Sequence, residues 1–337
     1  MKAMVYYRHG SPDVLKCEEI EKPTPADDEV LIRVRAASVN PLDWRLMRGG
    51  PRIIRVLLTL LTPKIKRPGV DVAGEVEAAG KNVTQFKPGD AVFGVCKGAF
   101  AEYACTPESK LVIKPAGLTF EQAASIPVAA LTALQGLRDK GQMKPGHEVL
   151  INGAAGGVGT FAVQIAKWFG ADVTGVCSTR NGEMVRSIGA DRVINYTRED
   201  FTQNGYRYDL ILDCVGNHPA SACRRALSRN GICVMAGGPK QVRTMLVRVL
   251  QALVLSPFVS QKFVMFIAKL SKEDLSMVGE LIATGKVTPV IDRRYSLSEV
   301  PQAVGYLEQG HAGGKVVITF GAESQDVAQP HSRCSVA

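Results

Sequence analysis

Gly153-Ala154-Ala155-Gly156-Gly157-Val158-Gly159 follows the apolar run Val149-Leu150-Ile151 and opens the helical pattern Phe161-Ala162-Val163-Gln164-Ile165-Ala166-Lys167-Trp168-Phe169. Strand, glycine turn and helix in this order build a dinucleotide pyrophosphate site. Glycines admit the phosphates close to the backbone, and the helix start offers free N–H groups and the positive end of its dipole. Gly153, Ala154, Gly156, Gly157 and Val158 are the expected contacts. Asp172-Val173-Thr174-Gly175-Val176-Cys177 reads as the next parallel strand, and this context turns a weak glycine spacing into a specific one.

The end of that strand bears on which nucleotide is held. An Asp or Glu about 20 residues past the glycines holds the ribose 2′-hydroxyl of the unphosphorylated cofactor. Here the strand runs into Ser178-Thr179-Arg180-Asn181, with no acid. A hydroxyl, a guanidinium and an amide suit a phosphate. The expected cofactor is NADPH, with Ser178, Thr179 and Arg180 at the 2′-phosphate and Tyr196 at its side. An exposed arginine at a helix start is the plainer reading of Arg180.

The chain has 337 residues, enough for two domains, with 46% hydrophobic and 22% charged residues. Its net charge of +9 fits a polyanionic cofactor, an anionic membrane surface or nucleic acid without choosing among them. Aromatic residues are only 6%, which argues against the stacking platforms of RNA binding. No apolar run is long enough to span a bilayer. Met1 to Arg8 reads as a first strand rather than a secretion signal. Eight scattered cysteines without a C-x-x-C pair suit a reducing compartment, expected to be the cytoplasm.

Short β runs punctuated by Pro and Gly occupy the first part of the chain, among them 29–36, 72–78 and 90–95, and suggest a β-dominated, barrel-like domain. From Phe120 to Asp139 the pattern is helical, and strands at 148–152, 173–177, 192–195, 209–214 and 231–236 then alternate with helices. That alternation predicts a doubly wound parallel sheet. Strand-like pieces return after Val287 and end at Lys315–Phe320, and 321–337 reads as a disordered tail.

These motifs resemble the medium-chain dehydrogenase/reductase superfamily, and most of all its zinc-independent quinone oxidoreductase branch, with the alkenal/enone reductases. The resemblance rests on Ala37–Trp44, Gly69–Val76, Phe86–Val92, Leu131–Gln135, Ala154–Gly159 and Gly310–Val317. It implies an α/β protein with a GroES-like, β-barrel-type catalytic domain (1–122 with 288–320) and a Rossmann NADPH-binding domain (123–287), joined into a homodimer through the edge of the nucleotide-binding sheet. The zinc-dependent relatives carry Cys where this chain has Asn40 and His where it has Val70. No cysteine stands near Val128–Thr132, and Asp71 is the one ligand type in the neighbourhood. A zinc site needs three or four clustered ligands, so none is expected here.

Without a Lewis acid, oxidation of an alcohol lacks a stabilised alkoxide, whereas a quinone or an α,β-unsaturated carbonyl delocalises the incoming charge itself. The resemblance places Asn40 and Thr132 by the nicotinamide as positioning groups, and Lys315 at a cofactor phosphate. Thr132 reads equally as a buried helix residue, and Lys315 as a surface lysine at a strand start. Strand ends at Cys214-Val215 and Ala236-Gly237-Gly238 should meet the ribose and nicotinamide. The apolar, basic stretches 52–67 and 242–270 suggest walls for a hydrophobic small-molecule substrate, or a peripheral contact with an anionic membrane. A dinucleotide-binding sensor, adaptor or RNA binder with little turnover, and an enoyl-thioester reductase, are the alternatives.

Overall fold

β8 (Glu148–Asn152), α4 (Gly157–Trp168) and β9 (Asp172–Cys177) form the strand–helix–strand unit around the glycine turn. The computed structural model describes residues 1–49, 66–238, 244, 247, 250–251 and 259–321. β8 and β9 are buried over nearly their whole length, as parallel strands covered on both faces must be. With β10 (Arg192–Asn195), β11 (Tyr208–Asp213), β12 (Leu227–Met235) and β13 (Lys262–Met265) they make a parallel sheet of order β10-β9-β8-β11-β12-β13. Strand order reverses between β8 and β11, where ligands of such sheets bind beyond the carboxyl ends.

α3 (Pro127–Gln135) packs along α4, and alanines at 129, 130, 133, 162 and 166 keep the two backbones close. The helical pattern at 120–139 is broken in the fold. α2 (Phe120–Ala124) ends before Pro127, which has no N–H to continue a ladder, and Ser125 Oγ donates back to the Gln122 carbonyl. Gly136–Lys140 closes the region as a π-helical turn. Within the stretch 242–270, β13 is the sheet's edge strand among the described residues, a role that the apolar pattern alone did not resolve. The stretch 52–62, most of 242–258 and the tail beyond Gly321 lie outside the described residues.

The first and last parts of the chain share a second sheet. β3 (Glu29–Val39) is its spine, with β4 (Asp71–Ala79) along one edge. The other edge is divided: β6 (Tyr103–Pro107) pairs with residues 29–33, and β15 (Lys315–Thr319) pairs with residues 36–39. β5 (Ala91–Val95) and β7 (Leu111–Ile113) extend the sheet beyond β4, and β14 (Ile291–Ser296) lies outside β15. Its core gathers Val30, Ile32, Val72, Phe100 and Leu111 with Val316 and Ile318, so the C-terminal strands bury their apolar face in the first domain.

Two buried glutamines act as one-residue strands. Gln135 donates to the Lys269 carbonyl and accepts from its N–H, at 2.8 and 2.9 Å. Gln164 on α4 does the same with Thr288, at 2.9 and 2.7 Å, where the chain crosses back to the second sheet. Between β13 and this crossing lies α7 (Lys272–Ala283), and α8 (Val300–Gln309) precedes β15. Among the described residues, no helix is long and apolar enough to cross a membrane.

Candidate active site

The cleft between the two sheets has one lip made by the strand ends of the parallel sheet. Gly153 adopts φ +88°, and its N–H and that of Ala154 donate to the Val176 carbonyl, folding the turn over β9. A Cβ on Gly159 would collide with the Gly153 carbonyl, so the helix starts tight against the turn. α4 begins at Gly156 with no side chain capping it, so its first N–H groups have no side-chain acceptor. Ala154 is buried, whereas Gly153, Gly156, Gly157 and Val158 are partly exposed along the rim.

Past β9, Ser178, Thr179, Arg180 and Asn181 form a short turn at the surface. Asn195 Nδ2 donates to Thr179 Oγ1 at 2.6 Å, and Tyr196 is exposed beside it. Arg180 reaches across the cleft and donates through Nη2 to the His311 carbonyl of the other domain. The turn contains no acidic side chain, as its sequence shows.

At the middle of the lip a buried acid, not singled out by sequence reasoning, organises two strand ends. Asp213, at the end of β11, accepts from Asn152 Nδ2 at 2.8 Å and from the N–H groups of Val215 and Gly216 at 3.1 and 2.8 Å. It thereby fixes the turn carrying Cys214 and Val215. Burial, with the Asp213 charge adding to it, pushes the Cys214 thiol far above its ordinary range. Ala236, Gly237 and Gly238 follow β12 alongside, partly exposed. Arg45 Nη2 donates to the Gly238 carbonyl at 2.8 Å, closing the cleft at this end.

The opposite lip is a buried polar cluster. Asn40 precedes α1 (Pro41–Arg48), and its backbone N–H donates to Asp43 Oδ2 at 2.7 Å. Its Nδ2 donates to Asp71 Oδ2 at 2.9 Å, while its Oδ1 accepts from Lys315 Nζ at 2.7 Å. Lys315 Nζ also lies 3.3 Å from Asp71 Oδ2, and Ser38 Oγ donates to that same oxygen at 2.8 Å. Exposures of 0% for Ser38 and Asp71, 2% for Asn40 and 3% for Lys315 put the whole group in the interior. Asp71 Oδ1 takes the Val128 N–H at 3.1 Å, and the Val128 carbonyl takes the Thr132 hydroxyl at 2.7 Å.

Two expectations change here. Lys315 is not a surface lysine: it is buried, and its ammonium lies on Asn40 and Asp71. Thr132 is a partly exposed helix residue whose hydroxyl donates within its own helix. Asp43 also departs from the ordinary: burial, reinforced by the Asp71 charge, raises its carboxyl from 3.8 to about 7, against the pull of the Asn40 and Gly69 N–H groups. Asp71 and Ser38 became functional candidates only in three dimensions; the one sequence signal was Asp71 standing in the segment that resembles a ligand region.

Comparison with known proteins agrees with this geometry. Residues 26–116 match the family described as "Alcohol dehydrogenase GroES-like domain", and residues 188–318 match "Zinc-binding dehydrogenase". Quinone-oxidoreductase QR1, chloroplastic, of Triphysaria versicolor is 35% identical over 94% of this chain and 98% of its own length. The NADPH-dependent alkenal/one oxidoreductase, chloroplastic, of Arabidopsis thaliana is 34% identical over 94% of this chain and 79% of its own. The structure of the quinone oxidoreductase from Coxiella burnetii superposes with a TM-score of 0.84 at 32% identity, covering 95% of this chain and 99% of that one. The zinc of the second family description finds no fitting donor set. Among the described residues no three His, Cys, Asp or Glu side chains converge, and an ammonium stands against Asp71, the carboxylate that holds the Asn40 amide. A nicotinamide dinucleotide does fit, along the uncapped start of α4 and the strand ends beyond it. The chain belongs to the medium-chain dehydrogenase/reductase superfamily, in its quinone oxidoreductase-like branch, and is an oxidoreductase.

Proposed function

We propose that this protein is a zinc-independent, NADPH-dependent reductase of quinones or α,β-unsaturated carbonyls. The observation that carries the reading is the Asn40–Asp71–Lys315 cluster, which fills the catalytic lip with an ion pair and an amide in place of a metal donor set. Bound NADPH supplies a hydride from C4 of its nicotinamide. The free N–H groups at the start of α4 take the pyrophosphate. Ser178 and Arg180 take the 2′-phosphate, with Arg180 exchanging the His311 carbonyl for the stronger, charged acceptor. The Asp213-anchored turn and Gly237–Gly238 line the ribose and nicotinamide end, and the backbone at these points can come close to the cofactor.

Asn40 and Thr132 border the place where the acceptor carbonyl lies, and the cleft positions acceptor and cofactor while excluding water. The proton comes from solvent. An acceptor conjugated to its carbonyl needs no Lewis acid, which is why quinones and enones are favoured over simple ketones. We further propose a homodimer joined at the β13 edge, which has a strand neighbour on one side only among the described residues, and a hydrophobic substrate. The seven described cysteines are all free thiols, in keeping with a reducing compartment such as the cytoplasm. Peripheral contact with an anionic membrane rests on the basic, apolar stretches of sequence alone.

The test is NADPH oxidation by the purified protein against a panel of a benzoquinone, an enone, an enoyl thioester and a primary alcohol. Turnover with the first two is expected. Tight NADPH binding without turnover on any of them defeats the enzymatic reading, and turnover confined to the thioester replaces the substrate class.

A further inference from the structure

We infer that Asp71 and Lys315 are positioning residues of the hydride-transfer site: their ion pair holds the Asn40 amide in one orientation, and Asp71 also ties that amide to the helix bearing Thr132. This rests on the reductase reading above and adds to it a mechanism for pre-organising the acceptor side.

The two ends of a carboxamide have nearly the same shape but opposite hydrogen-bonding sense, so neighbours alone decide which way the group faces. Asn40 has one neighbour of each kind. Lys315 Nζ can only donate, and it lies 2.7 Å from Oδ1. Asp71 Oδ2 accepts from Nδ2 at 2.9 Å. Turning the amide over would set N–H against ammonium and carbonyl against carboxylate, in an interior where such conflicts are costly. The ion pair between the two neighbours, at 3.3 Å, keeps both in place. One Nδ2 hydrogen is left with a long contact, 3.4 Å to the Ser38 carbonyl, and it is the group that can turn to an acceptor oxygen.

Sheet register builds this arrangement. β15 pairs Val316 with Val39, which brings Lys315 next to Asn40, and β4 pairs Asp71 with Ser38. The other oxygen of Asp71 takes the Val128 N–H at 3.1 Å, in the first turn of α3, and the Val128 carbonyl takes the Thr132 hydroxyl. A single carboxylate thus links both groups that border the acceptor. Lys315 arrives along the cofactor rim, since a Cβ on Gly157 would come 2.9 Å from its Cδ, yet its charge ends beyond the rim, in the cluster.

A phosphate ligand and a positioning residue predict different kinetics. Lys315→Met, Asp71→Asn, Asn40→Ala and the Lys315→Met/Asn40→Ala pair are compared for NADPH dissociation constant, by cofactor fluorescence, and for kcat on the acceptor that the wild-type protein reduces. The expected result is a kcat loss of roughly 10–100-fold in both Lys315→Met and Asp71→Asn, with NADPH affinity within about threefold of wild type. The double variant should be no slower than Asn40→Ala alone, because a residue that acts through the amide has nothing left to position. If Lys315→Met leaves an unpaired buried carboxylate that prevents folding, Asp71→Asn/Lys315→Met, which removes both charges, is measured in its place with the same expectation. An NADPH affinity reduced tenfold or more at unchanged kcat overturns the inference and returns Lys315 to the phosphate. Multiplicative losses in the double variant overturn it as well. The wild-type arm tests the reductase reading separately, since the inference fails only in the variant arms.

Discussion

The two lips of the cleft are made in opposite ways. The nucleotide lip is local: Gly153, Gly156, Gly157 and Gly159 lie within one turn, and backbone hydrogen bonds to Val176 set its shape. The catalytic lip is assembled from Ser38, Asn40, Asp71, Val128 and Lys315, with 275 positions separating the last from Asn40. The first presents backbone groups, whose positions survive most side-chain changes. The second is held by side-chain charge and polarity in a dry interior, where every member depends on its partners. Local construction tolerates change except where a Cβ has no room, whereas long-range construction fails whenever a partner is lost.

The sharpest way to break this contrast is inside the glycine turn. Gly159→Ala drives a methyl into the Gly153 carbonyl, and a destabilisation of roughly 1–3 kcal/mol is expected, read in chemical denaturation, together with loss of cofactor binding. Gly156→Ala has only the Gly153 carbonyl near its new methyl, at 3.4 Å, so stability should hold. Its NADPH dissociation constant should still rise roughly 10–100-fold, as one or two charge-assisted N–H contacts are held off. Equal stability losses in the two variants would contradict the local account. Next in size is Arg180→Ala. The ratio of kcat/KM for NADPH over NADH should fall roughly 10–100-fold, the value of one or two phosphate contacts from a guanidinium.

The pH dependence of stability sharpens the other side of the contrast. Asp43 has a native carboxyl at about 7 against an ordinary 3.8, so between these values the folded protein keeps a proton that the unfolded chain has released. Stability from this group is therefore greatest at low pH and declines as pH rises toward about 7, at up to about 1.4 kcal/mol per pH unit. In Asp43→Asn that slope should disappear from denaturation curves taken across this range, and an unchanged slope would assign it elsewhere. Smallest is Arg45→Ala, which removes a solvent-facing clasp to the Gly238 carbonyl. A stability change of about 1 kcal/mol or less is expected in thermal denaturation, and a larger one would show that the cleft is held from its mouth.

The same contrast explains what could be read from the chain. The strand–turn–helix at Val149 to Phe169 and the acid-free turn at Ser178–Asn181 are contiguous, and their chemistry follows from residue type and spacing. Asn40 and Thr132 came from resemblance rather than spacing, because nothing local distinguishes Asn40 from any asparagine before a proline. The place of Lys315 could not be foreseen, since only the pairing of β15 with β3 brings it beside Asn40. Asp213 was hidden for a related reason: an acid at a strand end reads as surface until its three N–H donors are seen. The break at Pro127 and the edge strand β13 were lost because an apolar pattern shows periodicity but not where a ladder ends.

The most direct test of the account is the kcat/KM ratio for NADPH over NADH, with a quinone as acceptor, in protein stripped by a strong chelator and checked for metal by elemental analysis. The account predicts turnover unchanged by stripping and a preference for NADPH of roughly tenfold or more, the value of at least one guanidinium–phosphate contact. Activity that vanishes on stripping and returns with stoichiometric zinc, or a preference for NADH, would contradict it.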